Sequence, residues 1–304
     1  MKTFKGRTAV LTGGASGFGL ECARIAAREG MNVVLVDVQA DALASAEAEV
    51  AALAAGQGGR VLSQRVDVSQ ATAMESLAKT VHETFGAPHF VFNNAGIATG
   101  GLVWEHSVQD WEWTLGVNLW GVVHGVRLFT PMMLAAAQAD PDYEGHIVNT
   151  ASMAGLLSPP NMGVYNVSKH AVVTLSETLY QDLGLVTEQV HAHVLCPYFV
   201  PTGIHQSERN RPAGMANAGG PTKSQLIAQA MSDKAVGSGK VSAAEVAGFV
   251  FDALRENRFY VFSHPKALGG VQLRLEDIQL QRNPTDPFKE RPEVGAQLKA
   301  QLRG

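Results

Sequence analysis

Tyr165 and Lys169, in the run Tyr-Asn-Val-Ser-Lys with Ser152 upstream, are the residues of this chain best suited by type and spacing to proton transfer. A phenol titrates at about pH 10, so at neutral pH it is a poor base. A lysine four residues later on one helix lies on the same face, one turn away. Its positive charge favours the phenolate and pulls the tyrosine toward the range where proton transfer is useful. A Tyr-x-x-x-Lys match needs only two residue types, and alone it fits an ordinary surface tyrosine beside a surface lysine. Its weight depends on the elements that position it.

Residues 8 to 11 (Thr-Ala-Val-Leu) read as a short buried strand ending in Thr12-Gly13-Gly14-Ala15-Ser16-Gly17-Phe18-Gly19. Helix formers follow from Leu20 to Arg28, and Gly30 is a C-terminal stop. Strand, glycine turn and helix N-terminus put backbone N–H groups where a pyrophosphate can sit. The glycines read G-x-x-x-G-x-G, not G-x-G-x-x-G, and a glycine-rich turn without a ligand is the competing reading. The next strand, Asn32 to Val36, ends in Asp37, placed to accept hydrogen bonds from adenosine ribose hydroxyls. Its charge repels the 2′-phosphate of NADP, and Ser16 and Val38 offer no cation to neutralise that phosphate. NAD is therefore the expected cofactor.

Together these pieces resemble the short-chain dehydrogenase/reductase family, from about Lys5 to about Pro265. Thr12 to Gly19 is similar to its T-G-x-x-x-G-x-G element, Asp67-Val68 to the pair bracketing the adenine, and Asn93-Asn94-Ala95-Gly96 to its N-N-A-G turn. Asn118, Ser152, Tyr165 and Lys169 follow the order and approximate spacing of the family's catalytic tetrad. Pro197 through Thr202 resembles the P-G-x-x-x-T segment at the nicotinamide end. The resemblance implies cofactor contacts at Gly13, Ser16, Gly17, Phe18, Gly19, Asp37, Asp67, Val68, Asn94, Tyr165, Lys169, Pro197 and Thr202. It also implies that Lys169 bonds the nicotinamide ribose and that Asn118 binds a water linking Lys169 to solvent. One position departs: Tyr198 stands where the family has glycine, which puts a bulky side chain near the carboxamide or the substrate mouth.

Strand-like and helix-like runs alternate. Strands are expected at Asn32–Val36, Arg60–Val66, His89–Asn93, His146–Thr150 and His191–Leu195. Helices are expected at Asp41–Ala55, Ala71–Phe85, Gln109–Ala137 and Tyr165–Gly184. This alternation implies right-handed crossovers and a doubly wound parallel sheet, Rossmann-like, with helices on both faces. Its ligand lies beyond the C-terminal strand ends. The expectation is one domain over residues 1–265, with a substrate lid at about 203–236, mobile and ordered on binding. Residues 266–304 extend it with an amphipathic helix, Val271 to Arg282, and a polar tail.

Ser152 follows a strand, so its hydroxyl can steady a substrate oxygen while Tyr165 moves the proton and hydride moves at the nicotinamide. Trp104, Met153, Met162 and Tyr198, with Leu156, Leu157 and Phe199, are the expected pocket wall. A wall so apolar suits a bulky hydrophobic secondary alcohol or ketone. Two other classes compete: a catalytically silent redox sensor of the same fold, expected to lack the tyrosine or lysine, and a sugar-nucleotide epimerase or dehydratase, expected to carry G-x-x-G-x-x-G and a larger C-terminal domain. A methyltransferase has no use for the tetrad.

Composition sets the remaining bounds. Of 304 residues 46% are apolar, enough for a large core, and a net charge of −4 without a basic run argues against nucleic acid. No unbroken apolar stretch of about eighteen residues is present, so no membrane span is expected. No apolar signal core precedes the first strand, and cytoplasmic residence is the expectation. Cys22 and Cys196 read as reduced packing residues. His191 and His193 can read as a metal pair, but without acidic or thiol partners nearby in sequence no metal is expected. By resemblance the protein is a homodimer or homotetramer built on the helices around Asn118 and Tyr165.

Overall fold

Short apolar runs become the seven strands of one parallel sheet in the computed structural model, which describes Met1–Arg303. These are β1 (Thr8–Thr12), β2 (Asn32–Asp37), β3 (Val61–Arg65), β4 (Phe90–Asn93), β5 (Gly145–Thr150), β6 (Val190–Cys196) and β7 (Tyr260–Phe262). Their spatial order is β3-β2-β1-β4-β5-β6-β7. Every residue of β1, β4 and β5 is buried, as expected of strands covered on both faces. The chain winds outward to β3, then returns to lay β4 on the other side of β1. The winding therefore reverses between β1 and β4, and a crevice opens beyond their C-terminal ends.

Among the described residues ten α-helices accompany the sheet: α1 (Gly17–Arg28), α2 (Ala40–Ala55), α3 (Ala71–Phe85), α4 (Val108–Leu115), α5 (Gly121–Ala139), α6 (Gly163–Val186), α7 (Lys223–Gly237), α8 (Ala243–Glu256), α9 (Leu268–Gln279) and α10 (Pro292–Arg303). On one face α1, α2 and α8 bury their apolar stripes with Ala9 and Leu11 of β1. On the other, α3, α5 and α6 pack on Val10, Val34 and Ile147. Helix α3 shows the cause: Met74, Leu77, Ala78 and Val81 recur at helical spacing and all are buried.

The structure revises several expectations. The helix expected at Gln109–Ala137 is α4 and α5 joined by a π-turn, Gly116–Trp120. By length and composition Val108–Ala139 is apolar enough to cross a bilayer, which a search for an unbroken apolar run does not register. Here it lies along the sheet, with Phe129 and Met133 in the core. The stretch at 203–236 folds as 3-10 turns (Gly203–Asn210 and Ala213–Met215) followed by α7. The polar tail ends in α10, which buries Gly295 and Leu298. Helix α8 and strand β7 had no counterpart in the sequence reading. The Ser-x-x-Glu start of α8 was the missed signal, since Ser242 and Glu245 form a capping box.

Candidate active site

The glycine turn is stitched to β4 by Thr12. Its hydroxyl accepts from the amides of Asn94 (2.9 Å) and Ala95 (3.1 Å), and the Asn94 side chain donates to the Thr12 carbonyl at 3.0 Å. Two glycines have no substitute here. A Cβ on Gly13, whose φ is +64°, would stand 3.0 Å from the Ala95 Cα, and one on Gly19 would lie 2.1 Å from the Gly13 carbonyl oxygen. The turn thus runs tight against the N-N-A-G segment and leaves the start of α1 open.

Asp37 closes β2 as expected. One carboxylate oxygen accepts from the Ala15 amide at 3.1 Å and the other from Gln39 at 3.0 Å, which fixes the carboxylate at the rim of the turn. Gly13, Ser16, Asp37, Asp67, Val68 and Lys169 share one cavity of about 570 Å³ with Gly17, Phe18, Asn94, Pro197 and Thr202. Asp67 orients its own loop by accepting from the Ser69 amide and hydroxyl, at 3.0 and 2.7 Å. Ser16 caps α1 without a side-chain hydrogen bond, so its hydroxyl is available. A helix N-terminus, a close glycine turn and a fixed acid in one elongated cavity fit the pyrophosphate and ribose of a dinucleotide.

Three arginines also line this cavity, Arg65, Arg209 and Arg211, the last of them paired with Asp110. Arg65 is the register partner of Asp37 on β3, and Arg209 reaches Gln39 at 3.4 Å; both line the cavity. Neither is adjacent to Asp37 in the chain, so only strand register and the fold of the 203–210 turn bring them there.

Ser152 follows β5 and caps a short turn, accepting from the Ala154 amide at 3.1 Å. Tyr165 and Lys169 lie one turn apart on α6. The lysine is 2% exposed, and its Nζ donates to the Thr150 carbonyl at 2.8 Å. Burial pulls its pKa down to about 8. Burial also pushes the Tyr165 phenol up, against a smaller downward effect of the hydrogen bond with Ser152. The sequence predicts that Lys169 lowers this phenol; the net direction found is upward. The ammonium sits 5.7 Å from the ring centroid and spends a hydrogen bond on Thr150, so desolvation wins.

Asn118 sits fully buried inside the π-turn, the kind of widened helix that recurs at functional sites. Its side chain accepts from the Ile97 amide at 2.8 Å and donates to the Ile97 carbonyl (3.0 Å) and the Ser168 hydroxyl (3.1 Å). It ties the loop after β4 to the helix carrying Tyr165. Tyr198 keeps a φ outside the left-handed region, so the backbone takes a side chain in place of glycine. Its amide donates to Ser263 at 2.9 Å, and its ring packs on Phe199 at 4.5 Å.

A second, larger cleft of about 2500 Å³ adjoins the first, and Ser152, Met153, Met162, Tyr165 and Tyr198 line it. Trp104 does not: it is 76% exposed and stands outside the lining. Leu157 and Phe199 line the cleft, whereas Leu156 does not. Helices α7, α9 and α10 wall the far side through Leu226, Leu273 and Leu298, so the C-terminal extension completes the cleft. The segment before α7 is fastened by Asp110, which pairs with Arg211 at 2.7 Å and accepts from Asn217 and Gln225. Cys22 and Cys196 are both free and buried.

Sheet order, switch point and glycine turn place the chain in the dinucleotide-binding class of doubly wound proteins. Within that class it belongs to the short-chain dehydrogenase/reductase family: the model described as short chain dehydrogenase matches residues 7–213. A CLA biosynthesis dehydrogenase/reductase of Lactiplantibacillus plantarum is 34% identical over 282 residues, covering 91% of this chain and 95% of that one. A 1-deoxy-11-beta-hydroxypentalenate dehydrogenase of Streptomyces exfoliatus is 34% identical, covering 90% and 88%. The crystal structure of a short chain dehydrogenase/reductase from Burkholderia phymatum in complex with NAD is 50% identical, with a TM-score of 0.89 over 94% of this chain and 99% of that one.

Proposed function

We propose that this protein is an NAD-dependent oxidoreductase that interconverts a secondary alcohol and a ketone on a bulky hydrophobic substrate. One observation carries the reading: Tyr165 lines both the dinucleotide cavity and the larger cleft, so its phenol stands where cofactor and substrate meet.

Bound NAD supplies the hydride acceptor, and in the reverse direction its reduced form supplies the hydride. Ser152 donates to the substrate oxygen and holds it beside the phenol. Tyr165 gives its proton to that oxygen in ketone reduction and takes it back in alcohol oxidation. Burial keeps the phenol protonated, which suits the acid role directly. The base role relies on added positive charge nearby to favour the phenolate. Lys169 is held on Thr150, and its remaining N–H groups would hold the nicotinamide ribose. Asn118 keeps loop and helix in register for this transfer.

Asp37 supports NAD over NADP through charge repulsion of a 2′-phosphate, although Arg65 and Arg209 soften that repulsion. The apolar residues of the cleft, Met153, Leu157, Met162, Phe199 and Leu273, favour a bulky apolar substrate. A relative named for a hydroxypentalenate dehydrogenase is consistent with oxidation of a hydroxyl group. Trp120 and Val167, exposed on the π-turn and α6, support a homodimer or homotetramer built on these helices. The deciding experiment is Tyr165→Phe. NAD affinity should stay unchanged while kcat falls by about 10²–10⁴; an undiminished kcat overturns the assignment.

A further inference from the structure

We infer that the N-terminal end of the sheet, opposite the active site, carries a divalent-cation site of the zinc class, built from Glu144, His146 and His191. His146 and His191 are register partners on β5 and β6, and His193 follows on the same face of β6. Glu144 immediately precedes β5. The acid that joins the pair in space comes from the start of the adjacent strand, not from Glu188 three residues before His191. One donor atom from each of Glu144, His146 and His191 falls within 4.8 Å of the others.

The proton accounting of this cluster points to a cation. The His193 Nδ1 lies 2.8 Å from the Arg258 carbonyl, which only accepts, so His193 donates there. In a neutral ring its Nε2 must then accept, and its neighbour at 2.9 Å is the His146 Nδ1, which therefore carries the hydrogen. That leaves a lone pair on the His146 Nε2, buried and aimed at a Glu144 carboxylate oxygen 3.2 Å away. Two acceptors face one another. Two ligands on one tetrahedral zinc, each about 2.0–2.1 Å from it, are separated by about 3.3 Å. The observed 3.2 Å accommodates that geometry.

The surroundings agree. A metal-bound histidine usually donates its other ring nitrogen to a partner that fixes its tautomer. Here His146 donates to His193, and His193 to Arg258. His191 and Glu144 are both half-buried, which gives an ion an entry path; the His191 Nδ1 lies 3.0 Å from the Asn257 side-chain amide, and the amide oxygen turned to it would accept its hydrogen and leave Nε2 as the third donor. The Met1 ammonium meets the same Glu144 oxygen, Oε1, at 2.7 Å, so an ion takes that oxygen's other lone pair or the second oxygen, Oε2; the Arg7 guanidinium donates to the Glu144 backbone carbonyl. A carboxylate has about four lone-pair sites, so the ammonium leaves room for an ion. Oxygen-preferring ions such as magnesium suit this set poorly, because two of three donors are imidazoles.

The test uses the whole protein after dialysis against a chelator. Titration with Zn²⁺ by calorimetry, and with Co²⁺ by its visible ligand-field absorption, should show saturable binding of one ion per chain and a raised Tm. His191→Ala and Glu144→Gln should each weaken binding about tenfold or more. Retained NAD binding shows that both variants fold, since the cofactor cavity lies at the other end of the strands. No saturable binding by the unmodified protein overturns the site, because it means that a proton settles the His146–Glu144 contact. Binding that survives both substitutions overturns it equally, by locating the ion elsewhere.

Discussion

Lys169 hangs from the last residue of β5: its Nζ donates to the Thr150 carbonyl at 2.8 Å, two residues before Ser152. The sheet's end and helix α6 are thereby joined by a buried ammonium, and the position of that charge is set by the strand. Burial is the cost, and it lowers the pKa to about 8 from 10.5.

The first prediction follows from that shift. Below pH 8 the ammonium is charged and can bond the ribose, and above it the charge is lost. NAD affinity, followed by protein fluorescence, should be flat to about pH 8 and weaken beyond it. Lys169→Met should remove the pH dependence along with the affinity. The stability effect has the opposite sign: between about pH 8 and 10.5 the unfolded chain binds more protons than the folded one, so this group's contribution improves as pH rises. At pH 7 the full burial penalty applies, and Lys169→Met removes it while leaving the Thr150 carbonyl without its donor, so its melting temperature should fall by less than that of Asn118→Ala.

Asn118 is next. Asn118→Ala leaves the Ile97 amide and carbonyl without partners in a buried place, at about 1–3 kcal/mol. Urea unfolding should register that loss, and kcat should fall as the loop after β4 drifts from α6. A variant with unchanged stability would contradict the linkage drawn from Ile97 through Asn118 to Ser168.

Cofactor choice rests on a contest at one strand end. Asp37→Ser should raise kcat/KM with NADP relative to NAD by about tenfold or more, because it removes the repelling charge and leaves Arg65 in place. Adding Arg65→Ala should reverse the gain. A parent enzyme that already works as well with NADP would overturn the preference.

Two glycine-to-alanine changes should diverge. Gly19→Ala drives a methyl into the Gly13 carbonyl and should abolish measurable dinucleotide binding. Gly248→Ala, inside α8 with open space around it, should stabilise the fold by about 0.5–1 kcal/mol. Thermal melts and NAD titration read both.

Substrate class can be read from size. Secondary alcohols of rising apolar bulk, followed by NADH absorbance, should show rising kcat/KM; turnover confined to small polar alcohols would sink the hydrophobic-cleft reading. Tyr198→Gly should change KM more than kcat, because that ring stands at the cleft and not on the reacting atoms.

How far the sequence reached depended on whether a feature was local. The limits of α3 were legible because one amphipathic run fixes them. The cofactor turn was legible because its glycines are demanded by contacts within a strand–turn–helix unit. The π-turn at Asn118 was not legible, because it answers to Ile97 and Ser168, far away in sequence. Trp104 was misassigned to the pocket wall because apolar character alone does not say which way a loop residue points.

Sequence by itself determined the doubly wound class, the family and the set of chemically competent residues, because those depend on residue type at short fixed spacing. Tertiary structure alone decided that Arg65 stands beside Asp37 and that α9 and α10 wall the cleft. It also decided that Glu144 meets His146 and His191, and that burial outweighs the Ser152 hydrogen bond in pushing the Tyr165 phenol up. Each of these depends on strand register, helix docking or desolvation, and those arise only when distant segments are packed together.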